Sequence, residues 1–198
     1  MRGNKASAEI RKRQIIVAAM RCFQRKGYVN TTVDDIASEY GLSKGSIYWY
    51  YSSKKAVLID IFKYWMDETL TGINEEITPL ESSREKLVRM GEFFIESMIR
   101  DLELYSSMMV FWGTAFEDMT LREMIMDLYG FGGTNGTSLL YQGESHGEFA
   151  ISDKKTFSTI MISMIEGLIV RQVMSKSLDL RRIRQEIKTI VDRLLPQA

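Results

Sequence analysis

The spacing of hydrophobic residues along this chain predicts a succession of helices. Apolar side chains recur three and four positions apart through most of the sequence, which places them on one face of a helix. No convincing stretch alternates apolar and polar residues, so strands are not expected. The longer predicted helices cover residues 9–26, 54–77, 83–100, 103–117, 120–144, 153–175 and 179–195.

Between the first two of these helices, residues 31–54 predict two short helices joined by a tight turn. Thr32 precedes two acidic residues, a pattern typical of a helix start. Gly41 is suited to end that helix in a left-handed conformation, and Ser43 can cap the next one. Two short helices around a glycine-containing turn form a helix-turn-helix, whose second helix enters the DNA major groove. The chain is therefore predicted to be all-α, with about nine helices.

The second short helix divides into two faces. Ile47 and Tyr51 are four positions apart, so both can point into the core. An outward-facing Tyr-Trp pair is unusual on a solvated surface and suits contact with DNA, although a hairpin with aromatic packing on both sides is the alternative. The residues predicted to face outward are Lys44, Gly45, Tyr48 and Trp49.

Charge is distributed unevenly along the chain. Residues 1–55 contain 11 Lys and Arg against 4 Asp and Glu, a net +7, while residues 56–198 carry a net −7 from 15 against 22. A basic N-terminal part on an acidic remainder indicates DNA contact at one end only. Lys54 and Lys55 follow Ser53 at a predicted helix start, where cations are disfavoured unless an anion such as phosphate lies nearby. The alternative is that this small cost is tolerated.

Composition excludes several other classes of protein. With 198 residues, 45% hydrophobic and 26% charged, the chain is of ordinary globular type. A single cysteine and a single histidine argue against an intrachain disulfide, a metal site or a cofactor, and no catalytic constellation is recognisable. No apolar run reaches the length of a membrane span, and the polar, basic N-terminus, predicted to be a mobile arm over residues 1–8, is unlike a signal peptide. A cytoplasmic location without a membrane partner is expected.

The stretch from about Arg13 to Leu58 resembles the DNA-binding domain of the tetracycline-repressor (TetR) family. The resemblance covers about a quarter of the chain and rests on many fixed spacings. Two residues depart from the family pattern, since Tyr51 replaces the usual Phe and Lys55 replaces an acid. The matching residues are Ile15, Ala18, Ala19, Phe23, Gly27, Tyr28, Thr31, Thr32, Ile36, Ala37, Gly41, Leu42, Ser43, Lys44, Gly45, Ile47, Tyr48, Tyr50, Tyr51 and Lys54.

This resemblance implies a DNA-binding head over residues 1–53 and a ligand-binding and dimerisation body over residues 54–198. The side chains that approach base edges would be those of the outward-facing set on the second short helix. Phosphates would be held by Thr32, Tyr50 and Lys54. The complete predicted DNA-binding set is Thr32, Ser43, Lys44, Gly45, Ser46, Tyr48, Trp49, Tyr50 and Lys54.

The body is rich in methionine and aromatic residues. Eleven of the 13 methionines follow residue 56, which favours an adaptable interior. For any single residue core packing is the simpler explanation, but the set predicts a pocket for a small apolar or aromatic effector. The predicted ligand-binding residues are Trp65, Phe94, Met98, Met108, Trp112 and Tyr129.

Four glycines between Gly130 and Gly136 weaken the helix predicted over residues 120–144. Each glycine disfavours a helix interior by up to about 1 kcal/mol, so a break or loose turn is expected there. This break is either a simple interruption or an opening beside the ligand pocket.

The last two helices are apolar on wide faces, which predicts a homodimer contact. Glu166-Gly167-Leu168 also resembles the subunit-contact helix of the family. The resulting hypothesis is a homodimeric repressor that binds a palindromic operator and is released by its effector, and the alternative is a body that binds a protein partner instead. The predicted interface residues are Met164, Gly167, Leu168, Ile187 and Val191.

Overall fold

The computed structural model describes residues 2–195, and the side chains of residues 8–127 and 136–195. Within residues 2–195 the regular structure is helical and no strand occurs, so the predicted all-α class is confirmed. The helices are α1 (Arg2–Lys26), α2 (Val33–Tyr40), α3 (Lys44–Tyr50), α4 (Lys54–Ile77), α5 (Ser83–Arg100), α6 (Leu102–Ala115), α7 (Met119–Ser145), α8 (Lys154–Ser175) and α9 (Leu180–Leu194).

The chain forms two compact units. The first consists of Met1–Asp67 and Glu103–Arg122, and the second of Glu68–Leu102 and Glu123–Ala198. The first unit therefore contains α1 to α3 together with the start of α4 and all but the first residue of α6. The division predicted after residue 53 follows the end of the helix-turn-helix, and as a functional boundary it stays a prediction.

A small hydrophobic core fixes the first three helices. Ile15 and Phe23 of α1, Ile36 of α2 and Ile47 of α3 are all almost completely buried. These positions fall on one face of each helix, as their spacing predicted. The opposite face of α3 therefore has to point away from this core.

The second unit is built around α5 and α9. Ile187 of α9 packs so closely against Gly91 of α5 that a Cβ on the glycine would lie 2.9 Å from the isoleucine Cγ2. The turn after α7 also binds α5, because the Glu148 carboxylate accepts hydrogen bonds from the main-chain N–H groups of Ser83 and Arg84 at the start of that helix. Burial alone would raise the pKa of Glu148, but these bonds and the Ser82 hydroxyl lower it.

Two predicted irregularities are absent from the backbone. The first helix, predicted over residues 9–26, begins at Arg2 instead, so residues 2–8 of the predicted arm are helical; helix formers such as Lys and Ala occur in this stretch and no proline interrupts it. The expected break between Gly130 and Gly136 is wrong, because α7 continues to Ser145. Glycine weakens a helix without preventing helical dihedral angles, and turns on both sides propagate the helix across it.

Helix α8 leaves many of its apolar side chains exposed. This helix is long and apolar enough to cross a membrane, and little of it is buried within the chain. The sequence had not indicated a span, because no uninterrupted apolar run reaches the required length. Length and composition are weak evidence for a membrane span, because a helix that is covered by another protein surface can have the same length and composition. Its exposed large side chains are Ile160, Met164, Val170 and Met174.

Candidate nucleic-acid interface

The turn between α2 and α3 is built from side-chain caps that the sequence signalled. Thr32 caps α2 by accepting a hydrogen bond from the Asp35 N–H, and the Asp35 carboxylate accepts one in return from the Thr32 N–H. Gly41 ends α2 with φ +71°, a left-handed conformation that costs a glycine little. Ser43 then caps α3 through the Ser46 N–H. The orientation of α3 relative to α2 is thus determined locally.

The face of α3 opposite the core exposes two aromatic residues. The Trp49 side chain is 83% exposed and that of Tyr48 is 48% exposed, whereas Ile47 and Tyr51 are buried as predicted. Exposing an indole to water forgoes about 2 kcal/mol of burial free energy, so a solvated surface does not favour it. Gly45 precedes this pair, and a Cβ on it would meet only the Ser43 Oγ at 3.9 Å. The surface around Gly45 is therefore open to close approach.

Polar side chains around this face already have partners within the chain. The Lys44 Nζ lies 2.7 Å from the Asp34 carboxylate, and this contact raises the pKa of Lys44. The hydroxyls of Ser43 and Ser46 are 2.9 Å apart and share a hydrogen bond. Of the predicted phosphate-binding residues near α3, Thr32 is exposed and Tyr50 is partly exposed. Both side chains reach solvent, and the Thr32 hydroxyl donates to the Asp35 carboxylate at 2.8 Å.

Lys54 has a different environment from the one predicted. Its ammonium donates to the carbonyl oxygens of Tyr28, Val29 and Thr31 at 2.5, 3.0 and 2.7 Å. It also lies 4.5 Å from the centre of the Tyr28 ring, and burial lowers its pKa. A lysine ammonium has three N–H donors, and all three point to these carbonyls. The geometry favours a structural role in the α1–α2 loop over the predicted phosphate contact.

Lys55 takes part in an ion pair that sequence reasoning missed. Its Nζ lies 2.5 Å from the carboxylate of Asp118, which lies between α6 and α7, and this contact lowers the pKa of Asp118. The two residues are 63 positions apart along the chain. The only signal in the sequence was that Lys55 departs from the acid usual in the family.

The predicted ligand-binding residues are divided between the two compact units. Trp65, Met108 and Trp112 belong to the first unit, and Phe94 and Met98 to the second. The Tyr129 side chain lies outside the described residues. In the first unit, the Trp65 ring meets the Tyr105 ring edge-on at 6.3 Å, and Phe62 stacks on Phe111 at 4.1 Å. The buried Trp65 Nε1 has no hydrogen-bond acceptor among the described residues.

The predicted interface residues also separate into two groups. Met164 is 42% exposed, Leu168 is partly exposed, and Gly167 has open space where a Cβ would be. Ile187 and Val191, by contrast, are buried within the single chain. The wide apolar face of α9 is thus directed to the interior of its own unit, and the prediction that these two side chains form a subunit contact is corrected.

An all-helical fold with a capped helix-turn-helix and an outward-facing aromatic pair defines the class of helix-turn-helix DNA-binding proteins. Residues 15–61 match the family model described as bacterial regulatory proteins, tetR family. The DNA-binding part of the chain therefore matches the TetR family over residues 15–61, as the resemblance of the motif had implied.

Individual relatives agree with this assignment. The HTH-type transcriptional regulator YuxN of Bacillus subtilis is 34% identical over 90 residues, which cover 43% of this chain and 31% of that protein. The match spans less than half the length of several curated relatives. A transcriptional regulator from Saccharomonospora viridis, solved in complex with choline, has a TM-score of 0.84 at 23% identity and covers 96% of this chain and 100% of its own.

A second solved structure has the same fold. The fatty acid degradation regulator FadR from Bacillus halodurans has a TM-score of 0.78 at 22% identity and covers 91% of this chain and 93% of its own. At these identities the structures show that the fold is shared over nearly the whole chain.

Proposed function

We propose that this protein is a homodimeric, ligand-responsive transcriptional repressor that binds a palindromic DNA operator through α3. The observation that carries the proposal is the exposure of Trp49 and Tyr48 on a firmly capped helix of a basic head. Tyr48, Trp49, Lys44 and Gly45 would approach base edges, and Thr32 and Tyr50 would contact phosphates. The related proteins named above carry names of transcriptional regulators, and we therefore propose regulation rather than catalysis, in the cytoplasm.

Dimerisation is supported by the uncovered face of α8. Ile160, Met164, Gly167 and Met174 are spaced by three, four and seven positions, so they follow one stripe along the helix. Three of them are large exposed apolar side chains, and Gly167 allows two backbones to approach closely. A second copy of the chain would cover this stripe in a symmetric contact. Two heads are also required to give a short half-site enough affinity.

The proposed effector is a small apolar or aromatic molecule. The aromatic cluster around Trp65 supports it, because the unpartnered indole N–H can donate to an acceptor on a ligand. A cationic effector is compatible with the same rings through cation–π attraction, and the similar Saccharomonospora viridis protein was solved with choline. Trp65, Met108, Trp112, Phe94, Met98 and Tyr129 remain the proposed ligand-binding residues.

Release of DNA sets an energetic requirement on this effector. Shifting 99% DNA-competent molecules to 1% requires the effector to favour the other state by about 5.5 kcal/mol. Burying about 200 Å² of additional apolar ligand surface in one state supplies about 5 kcal/mol. A bulky apolar molecule meets this requirement, whereas a small polar one does not.

The DNA-binding part of the proposal is tested by footprinting. The protein is incubated with the DNA that flanks its own gene, and a promoter from that region is placed before a reporter. We expect a protected, symmetric site and a reporter that falls when the protein is expressed. Trp49→Ala is expected to weaken both effects without loss of helix content, because this side chain is exposed. Protection that persists unchanged in Trp49→Ala would contradict the assignment of α3.

The effector part is tested by adding lipophilic and quaternary-ammonium compounds to the protein–operator complex. Tryptophan fluorescence and DNA release are followed together. We expect quenching and release at the same concentrations, and weakening of both in Trp65→Ala. The alternative function, a body that binds a protein partner, is favoured if no compound releases DNA while a protein that binds the body does.

A further inference from the structure

Helix α3 carries few of the side chains that read base edges through paired hydrogen bonds. Its sequence, Lys-Gly-Ser-Ile-Tyr-Trp-Tyr, contains no Arg, Asn or Gln. The Lys44 ammonium is paired with Asp34, and the Ser46 hydroxyl is bonded to Ser43. The largest exposed group on this helix is therefore the apolar indole of Trp49.

The four base pairs differ in what they offer to such a surface. Guanine is read by bidentate Arg or Lys and adenine by bidentate Asn or Gln, whereas thymine alone presents a methyl group in the major groove. An apolar side chain gains free energy from the methyl and nothing comparable from the polar edges. The open surface around Gly45 lets the helix backbone approach, which brings the following turn of α3 close to the groove.

Charge determines which partner covers this apolar surface. Residues 1–55, which include α3, carry a net +7. A polyanion such as duplex DNA is complementary to that charge.

We propose that Trp49 recognises thymine C5-methyl groups, so that methyl contacts set the sequence preference of each half-site. This inference rests on the proposed function and makes it more specific. It assigns Trp49 as the residue that determines specificity. It also assigns the operator to a class of sequences in which particular thymines are required for their methyl group.

The test removes single methyl groups from the DNA. The starting duplex is the footprinted site or a sequence selected from a random library. Each thymine is replaced in turn by deoxyuracil, which pairs identically and lacks only the methyl. We expect affinity of the wild-type protein to fall about fourfold at one or two thymines in each half-site, the equivalent of one methyl group. Trp49→Ala is expected to bind more weakly overall and to show no further loss at these positions.

Two additional arms separate the methyl group from other effects. Replacing a sensitive T·A pair with 5-methylcytosine·G is expected to retain more affinity than replacing it with C·G, because only the first keeps the methyl. Tyr48→Phe retains its ring and leaves Trp49 in place, so it is expected to keep the sensitivity to uracil.

The outcomes distinguish this inference from the proposed function. The methyl inference is wrong if a preferred duplex exists and no uracil substitution weakens binding to it. It is also wrong if Trp49→Ala loses affinity at the same positions by the same factor as the wild-type protein. In both cases the proposed function stands. If no sequence is preferred over random DNA, both are wrong.

Discussion

The Lys54 ammonium donates to three main-chain carbonyls and lies beside the Tyr28 ring. These carbonyls belong to the loop that joins α1 to α2, so Lys54 ties the start of α4 to that loop. A residue with this role positions the helix-turn-helix without touching DNA. It would still be sensitive to mutation, which is why stability and DNA contact have to be measured separately.

Replacing Lys54 by methionine keeps the length of the side chain and removes its three donors. We expect the free energy of unfolding to fall by about 1–3 kcal/mol, because three carbonyls lose a charged partner. The dependence of DNA affinity on salt should remain unchanged. Lys63→Met, at an exposed lysine of the same helix, is the matched control and should leave stability unchanged. If Lys54→Met reduces the salt slope by about one unit at constant stability, Lys54 is a phosphate ligand after all.

Single residues also show how far the sequence could predict this site. The caps at Thr32, Gly41 and Ser43 were predictable because each acts within a few positions of its own place in the chain. The partners of Lys54 and Lys55 were not, because they lie 23 or more positions away and depend on how the helices pack. Local chemistry can be read from spacing, whereas long-range pairing requires the fold.

At the level of elements, α7 shows that a helix can contain several glycines. The sequence predicted a break between Gly130 and Gly136, yet the backbone is helical from Met119 to Ser145. Gly136 allows a close approach to α8, since a Cβ there would lie 3.3 Å from the Ser158 hydroxyl. Packing against a neighbouring helix stabilises a helix in a folded protein, and helix propensities do not include this contribution.

Replacing Gly132 by alanine reports directly on this helix. Because the backbone is helical at this position, the substitution is expected to stabilise the protein by up to about 1 kcal/mol, since alanine loses less conformational entropy. The midpoint of thermal unfolding measures the change. A decrease in that midpoint would indicate a left-handed or broken backbone and would support the original prediction of a break.

The Lys55–Asp118 pair connects the start of α4 with the turn between α6 and α7. Lys55→Asp should lower the thermal midpoint through repulsion, and the exchanged pair Lys55→Asp with Asp118→Lys should recover part of the loss. The Asp118 pKa is lowered in the folded state, so its contribution is present above pH about 4 and is lost as the pH falls through the folded pKa. If the exchanged variant is no more stable than Lys55→Asp alone, the pair contributes nothing.

At the level of the whole molecule, the sequence predicted the number and order of the helices well. Their amphipathic spacing is a local property, and most boundaries follow from caps and turns. Less predictable was which apolar face would be buried within the chain and which would remain exposed. Both α8 and α9 are apolar on a wide face, but Ile187 and Val191 of α9 are buried within the chain, whereas Ile160 and Met164 of α8 are exposed.

The exposed stripe of α8 predicts a specific sensitivity of the oligomeric state. Gly167→Arg should convert a dimer into monomers and weaken operator binding strongly, because the added side chain prevents close approach of two copies of α8. Gly113→Arg is a matched control, since that helical glycine also has open space around it. Sedimentation velocity measures the change, and circular dichroism should show unchanged helix content. A dimer that persists in Gly167→Arg would exclude this face.

The most direct test of the proposal as a whole is to select binding sites from a random-sequence duplex library. A homodimer that reads DNA through α3 should enrich inverted repeats, with half-site centres about 10–10.5 base pairs or a multiple of that distance apart. The same selection with Trp49→Ala should lose the preference within each half-site. Enrichment of sequences without two-fold symmetry, or of no sequence at all, would contradict the account of a dimeric DNA-binding regulator.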